Sequence, residues 1–398
     1  MTNEMNEAAK ILTESLKENV SKIQAKKDQP FQMKMKASVI GVGAGGGNIA
    51  HLMTKYGYDT AAFNTTQADM VDLDVKHKVV IKGVNGSGKD RAFSATEFKR
   101  SYKAFFDHDG IKQLMKNDLI FIVGTGGGGT GTIISVMTAA YLKSEYPNKT
   151  IVMIGILGSI KEDLISQKNM REFMSDLENK LEVPYLLFDN NRVKNKIGDD
   201  VYDQVNNEIV NAIRILSKEF FVENSRSNID GRDFARLTSF RGLMSVVAID
   251  NLNISVSEER VDLVSRVRNA IENSTVITTE APDAYGFFMN TDPEVYSLID
   301  MTFDDVQNEI AGIPTSGLVF RHLQNRSGEG PEFAMIMTGM SAPIARFKMI
   351  ERRIAEYENV KGKERIPVVE RESEGPLRLA GDGKSDGTGK GVSAFDNF

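Results

Sequence analysis

The 398-residue chain has room for two or three compact units, and 41% hydrophobic with 26% charged residues makes it neither wholly disordered nor fibrous. A net charge of -6 argues against a surface that grips nucleic acid as a whole, because that binding rests on Lys and Arg neutralising phosphates. The lack of cysteine excludes disulfides, thiolate metal sites and a cysteine nucleophile, and His51, His77, His108 and His322 have no ligand spacing on a helix turn, so no metal held by the protein alone is expected.

In chain order, Ile11, Leu12, Leu16, Val20 and Ile23 recur at helical spacing and predict an amphipathic helix ending before Pro30, within an N-terminal extension over 1–35. Acids early in this segment and the lack of a continuous apolar core do not fit a signal peptide. From residue 36 short apolar runs alternate with helical stretches: "ASVIGV", "KVVIKGV", "LIFIVG", "TIVMIGIL" and "PYLLFDN". Such runs lack polar alternation because strands covered on both faces do not need it, which predicts an α/β fold with a Rossmann-like parallel sheet over 36–198. A long helix follows over 199–224, with Val201, Val205, Ile209, Ala212, Ile213 and Leu216 on one face and Asn206 and Asn207 in its middle. Beyond the polar loop "ENSRSNIDGRD", the runs "SVVAID", "STVITTE" and "FAMIMTG" predict a second α/β domain over 225–342. A charged helix over 343–362 leads into a Gly-rich, charged tail over 363–398, expected to be disordered. Phe395 and Phe398 in "VSAFDNF" read either as a docking peptide or as part of a solvated tail. No stretch reaches the roughly 18–20 apolar residues of a membrane span, and the expectation is a cytoplasmic chain without a membrane partner.

Three glycine loops stand at successive strand ends. Gly41, Gly43 and Gly46 in "GVGAGGGNIA" fit the GxGxxG pattern, in which glycine lets backbone N–H groups approach a phosphate at a helix N-terminus. "GVNGSGKD", residues 83–90, matches GxxxxGK but puts Asp90 where a P-loop requires Ser or Thr. "GTGGGGTGTI", residues 124–133, follows a strand directly. A dehydrogenase needs one such loop and would want an acid near the second strand end, where this chain has Asn64.

"GGGGTGT", Gly126 to Thr132, resembles the signature loop of the tubulin/FtsZ superfamily, and further motifs of that family follow its order in the chain. "GAGGGN" resembles its first phosphate loop, "NTTQADM" its second, "NGSGKD" its third, "FDNNR" its base-contacting loop, "NNEIV" the start of its central helix, and "NIDGRD" its NxDxxD loop. The matches span residues 43–233, and the N-terminal extension, "SGKD" and "TGMSAPIARFKMIERRI" bring the chain closest to the TubZ-like phage and plasmid filament proteins.

The resemblance implies a self-assembling GTPase that forms head-to-tail filaments of copies of itself, moving or positioning plasmid or phage DNA, with an adaptor protein as partner and no direct contact with nucleic acid. Cofactors would be GTP or GDP with Mg²⁺. Phosphate-loop residues would be Gly43, Ala44, Gly45, Gly46, Gly47 and Asn48 in the first loop, Asn64 after the second strand, Gly86, Ser87, Gly88 and Lys89 in the third loop, and Gly126, Gly127, Gly128, Gly129, Thr130 and Gly131 in the signature loop. Asn190 and Asn207 would read the base through their amides. Asn228, Asp230 and Asp233 would act in the neighbouring subunit's site, orienting the attacking water. The ribose loop corresponds to "GSIKEDLISQKNM", where register is lost and Glu162 and Asp163 are the acids at hand; Ile133 stands where the signature commonly has Gly. Two other readings remain open, a cell-division scaffold and a nucleotide-dependent filament with little hydrolysis.

Overall fold

A computed structural model describes residues 36–193, 198–218, 229, 231–252, 262–279, 282–291, 318–325 and 331–363, with isolated positions 306, 308 and 310. The expected N-terminal helix, Asn228, Asp230 and the tail beyond Lys363 lie outside the described residues.

One ten-stranded sheet organises the described residues, in the order β3-β2-β1-β4-β5-β6-β7-β10-β8-β9. The parallel part comprises β1 (Ala37–Val42), β2 (Asp59–Asn64), β3 (His77–Val80), β4 (Leu119–Thr125), β5 (Thr150–Leu157) and β6 (Pro184–Asp189). Strands β1 and β6 are buried at every position and β4 at all but its last, as the unbroken apolar runs predict for strands covered on both faces. The intervening helices are α1 (Gly43–Lys55), α2 (Arg91–Asp107), α3 (Asp109–Leu114), α4 (Thr130–Glu145) and α5 (Leu164–Asn179). The six parallel strands therefore all end at one side of the sheet, the side where parallel α/β proteins hold ligands.

The central helix α6 (Asp199–Lys218) buries Val205, Ile209, Ala212, Ile213 and Leu216, the face its periodicity predicts. Its Ser217 Oγ lies 2.5 Å from the hydroxyl of buried Tyr58. Then come α7 (Gly231–Leu237), β7 (Gly242–Ile249), α8 (Leu263–Asn273), β8 (Ala284–Thr291), β9 (Leu318–Asn325), β10 (Phe333–Met340) and α9 (Ile344–Lys363). Strand β7 pairs parallel to β6 through Pro184–Leu186, and β10 lies antiparallel between β7 and β8, so the two expected α/β regions share one sheet. "STVITTE" is not the strand its composition suggests. Beyond Leu186 the edge of β6 is open, and this segment fills it with two backbone bonds, Asp189 N–H to Thr275 O at 2.9 Å and Ile277 N–H to Leu187 O at 2.7 Å, and one isolated bridge.

Phe63, near the end of β2, packs edge-on against Phe105 and Phe98 of α2, with ring centroids 4.5 and 5.6 Å away. Truncating a buried aromatic removes its transfer free energy and leaves a cavity. Phe63→Ala is therefore expected to lower stability by about 3–5 kcal/mol in urea unfolding; a loss below about 1 kcal/mol would mean the aromatic cluster collapses around the gap.

Candidate functional site

The glycine loops converge on an open cavity of about 270 Å³ at the ends of β1, β2 and β4. Gly43, Ala44 and Gly45 line it from the first loop, Asn64, Thr65, Thr66 and Asp69 from the second, Gly86, Ser87, Gly88 and Lys89 from the third, and Thr125, Gly128, Gly129, Thr130 and Gly131 from the signature loop. Gly43 has φ +74°, a conformation that L side chains rarely adopt, and a Cβ there would lie 3.1 Å from Gly131 N. Cross-links hold the loops together: Thr65 Oγ1 lies 2.8 Å from Thr130 Oγ1, and Asn169 Nδ2 donates to Lys89 O at 2.9 Å, Gly128 O at 3.2 Å and Gly127 O at 3.3 Å.

The helices differ in how their N-termini are capped. Helix α2 is capped by Asp90, α5 by Asp163 and α8 by Asp262, each carboxylate accepting a backbone N–H of the first turn. The two helices that open into the cavity, α1 and α4, carry no side-chain cap; Val42 and Gly129 precede them. Their first N–H groups and the positive ends of their dipoles face the same cavity, a donor set suited to an anion with several oxygens.

Not every expected residue reaches this cavity. Gly46 and Gly47 are buried within α1 and Asn48 is exposed on it, none lining the cavity. The Gly126 N–H donates to Ile156 O at 2.8 Å and is spent there. Gly127 lies outside the lining and uses its carbonyl on Asn169. Lys89, at φ +65°, lines the cavity, but its Nζ is engaged by Asp163 and by Ser166 Oγ at 2.8 Å. Thr65, Thr66, Asp69 and Thr125 were not singled out from the sequence, although three of them lie in the quoted "NTTQADM". Asp69 is an acid among donors, and Asn64 Nδ2 donates to it at 3.1 Å.

The expected base readers sit on neighbouring elements. Asn190 opens a short 3₁₀ turn, Asn190–Arg192, that packs against α6, and its Oδ1 is buried without a hydrogen-bond partner among the described residues. Neither Asn190 nor Asn207 lines the cavity. Asn207 is exposed on α6. The next residue, Glu208, reaches the other way and accepts from Thr275 N at 2.6 Å, Thr275 Oγ1 at 2.8 Å and Ser274 Oγ at 2.9 Å. Asp233 stands in the first turn of α7, which packs against β8 and β9 at the opposite edge of the sheet from the cavity. Among the described residues there is no group of three or more His, Asp or Glu able to hold a metal, and no helix is long and apolar enough to cross a membrane.

No family profile matches the chain. It is 31% identical over 193 residues to the tubulin-like protein CetZ of Thermococcus kodakarensis, covering 46% of this chain and 50% of that protein. It is 29% identical over 171 residues to the tubulin-like protein TubZ of Clostridium botulinum C phage, covering 40% and 46%. The chain thus matches about half the length of these curated relatives. Among solved structures, the GTPγS-form protofilament of Bacillus thuringiensis serovar israelensis TubZ superposes with a TM-score of 0.67 at 16% identity, covering 83% of this chain and 95% of that one.

Asp163 supplies a test of the loop wiring. The Lys89 hydrogen bond, then the backbone bond from Ser166, hold its carboxyl down at about 2, below the ordinary 3.8. Its contribution to stability is therefore complete above the unfolded value and is lost as pH falls from 3.8 towards about 2. Because the side chain is 52% exposed, the contribution stays below about 1 kcal/mol. Asp163→Asn should unfold at lower urea than wild type near neutral pH, and the gap should close in acid; a gap that persists unchanged at the acid end would contradict the assignment.

Proposed function

On the premise of a tubulin/FtsZ-like chain close to TubZ and CetZ, we propose that the protein is a self-assembling GTPase whose filaments move or position plasmid or phage DNA through an adaptor. The observation that carries the reading is the pair of uncapped helix N-termini, α1 and α4, opening on one cavity lined by the glycine loops. In this reading the N–H groups of Gly43–Gly45, Ser87, Gly88 and Gly128–Gly131 hold the phosphates, the Gly86 N–H being spent on Thr65 O at 2.9 Å, and the Thr130 hydroxyl adds a donor. The base would lie beyond the cavity lining, where the Asn190 amide, on the turn after β6, and Asn207 on α6 can present both donor and acceptor to a guanine edge. The functional division is 36–198 for nucleotide binding, 199–224 for the central helix, 225–342 for the second domain and 343–362 for the C-terminal helix.

Hydrolysis belongs to the assembled state. Five strand spacings separate β4 from β8, about 24 Å at roughly 4.8 Å per strand, so α7 and its Asp233 are out of reach of the cavity in their own chain. Head-to-tail contact brings the "NIDGRD" loop of one copy, with Asn228, Asp230 and Asp233, to the cavity of the next, where the carboxylates orient and polarise water. The B. thuringiensis TubZ structure is itself a GTPγS-form protofilament, which favours such an arrangement here. Mg²⁺ would neutralise charge on the phosphates, and Asp69, the carboxylate among the residues that line the cavity, would hold it directly or through water.

Phosphate release per chain should rise steeply with protein concentration in wild type. Asp230→Ala and Asp233→Ala should still bind GTP and sediment as polymer, while release falls by about 10²-fold or more. Release that is first order in protein, or unimpaired in both variants, would refute the shared site. Asp69→Asn should raise the Mg²⁺ concentration needed for half-maximal hydrolysis; an unchanged Mg²⁺ titration would remove Asp69 from that role.

A further inference from the structure

Arg346, in the first turn of α9, is 7% exposed, and nothing in its sequence context assigns it a role. Its Nε lies 2.7 Å from Asp189 Oδ2, and its Nη2 donates to Asp189 Oδ1 at 3.2 Å and to the Gly158 carbonyl at 2.8 Å. Asp189 is the last residue of β6, with its side chain 5% exposed. The same Asp189 Oδ1 accepts from Asn191 N at 3.0 Å and Asn191 Nδ2 at 3.1 Å, and so sets the turn that begins at Asn190. Asn191 in turn accepts from Ile160 N at 3.1 Å, which joins this turn to the loop after β5. One buried guanidinium therefore ties two loops together from a helix that contributes nothing to the cavity lining.

Other contacts also dock α9. Ile350 and Ile354 are buried, Tyr357 hydroxyl donates to Glu162 O at 3.0 Å, and Glu358 pairs with Lys168 at 2.7 Å. Burying an arginine is costly, and here Nη2 serves an acid and a carbonyl that flank the turn carrying Asn190, while Nε stands in ion-pair contact with the same acid without making a hydrogen bond. We propose that Arg346 is a positioning residue for base selection: through Asp189 and the Gly158 carbonyl it fixes the turn that carries Asn190, the base reader of the GTP reading. This rests on the GTP reading above. Arg346 touches neither base nor phosphate; it acts through Asp189.

The test is calorimetric binding of GDP and of ADP to the full chain, for wild type, Arg346→Met and Arg346→Lys, with circular dichroism as a check on folding. Wild type should prefer GDP. Arg346→Met should lower the GDP-to-ADP affinity ratio by about tenfold or more, through weaker GDP binding with ADP binding little changed. Arg346→Lys keeps the charge without the fork and should fall between, which keeps the test sound if the Met variant fails to fold. Equal loss for both nucleotides, or a lower melting temperature with an unchanged ratio, would reduce Arg346 to structural support and overturn the proposal while the GTP reading stands. A wild type without guanine preference would overturn both.

Discussion

The site depends on backbone meeting backbone at distances no side chain could share. A Cβ on Gly46 would lie 2.3 Å from the Val123 carbonyl, one on Gly41 2.0 Å from Gly46 O, and one on Gly129 2.8 Å from Asp90 N. These approaches let α1 leave β1 at once, bring β4 against its first turn, and close the third loop over the signature loop. Real Cβ atoms do not tolerate such contacts, so the glycine run follows from the geometry. The same closeness puts two helix N-termini at one point, and the anion chemistry of the cavity follows from that coincidence of dipoles and free N–H groups.

From this end of the sheet the remaining structure works as a frame. Asn169 on α5 holds the carbonyls of Lys89, Gly127 and Gly128 together, and Thr65 meets Thr130 across the floor. The turn at Asn190 is wired separately: Asp189 faces Arg346 on α9, while Arg192 caps the C-terminal end of α8 by donating to Ile271 O and Ser274 O. The turn at Asn190 is thus tied to two helices, α8 and α9, and the cavity and this turn are held by different parts of the chain.

Much of this was legible because it is local. Strands buried on both faces announce themselves as unbroken apolar runs, and the central helix by the spacing of Val205, Ile209, Ala212, Ile213 and Leu216. Glycine loops directly after strands mark the cavity without any knowledge of contacts. Residue-level roles within a loop were harder to read. Gly126 satisfies the signature pattern yet spends its N–H on Ile156, and Lys89 looks like a phosphate ligand yet its ammonium is held by Asp163 and Ser166. Asp69 lay inside a quoted motif with no role, since an acid in a phosphate loop makes sense only once its neighbours are known to be donors. Arg346 and Asp189 were invisible as a pair, because 157 positions separate them and neither residue is unusual where it stands. "STVITTE" misled because β-rich composition cannot say whether an edge is free along its whole length.

The contrast between capped and uncapped helices has a consequence for the folded chain itself. Aspartate closes the ends of α2, α5 and α8, whereas α1 and α4 leave their ends to whatever enters the cavity. Two positive helix ends that open on one cavity repel, which opposes the packing of the strands beneath them. A bound polyanion would act as the missing cap for both helices at once, and by linkage a ligand at a hundred times its dissociation constant adds about 2.7 kcal/mol to the native state. Occupancy of the cavity and stability of the strands beneath it would then be linked, the native state gaining with the logarithm of the ligand concentration.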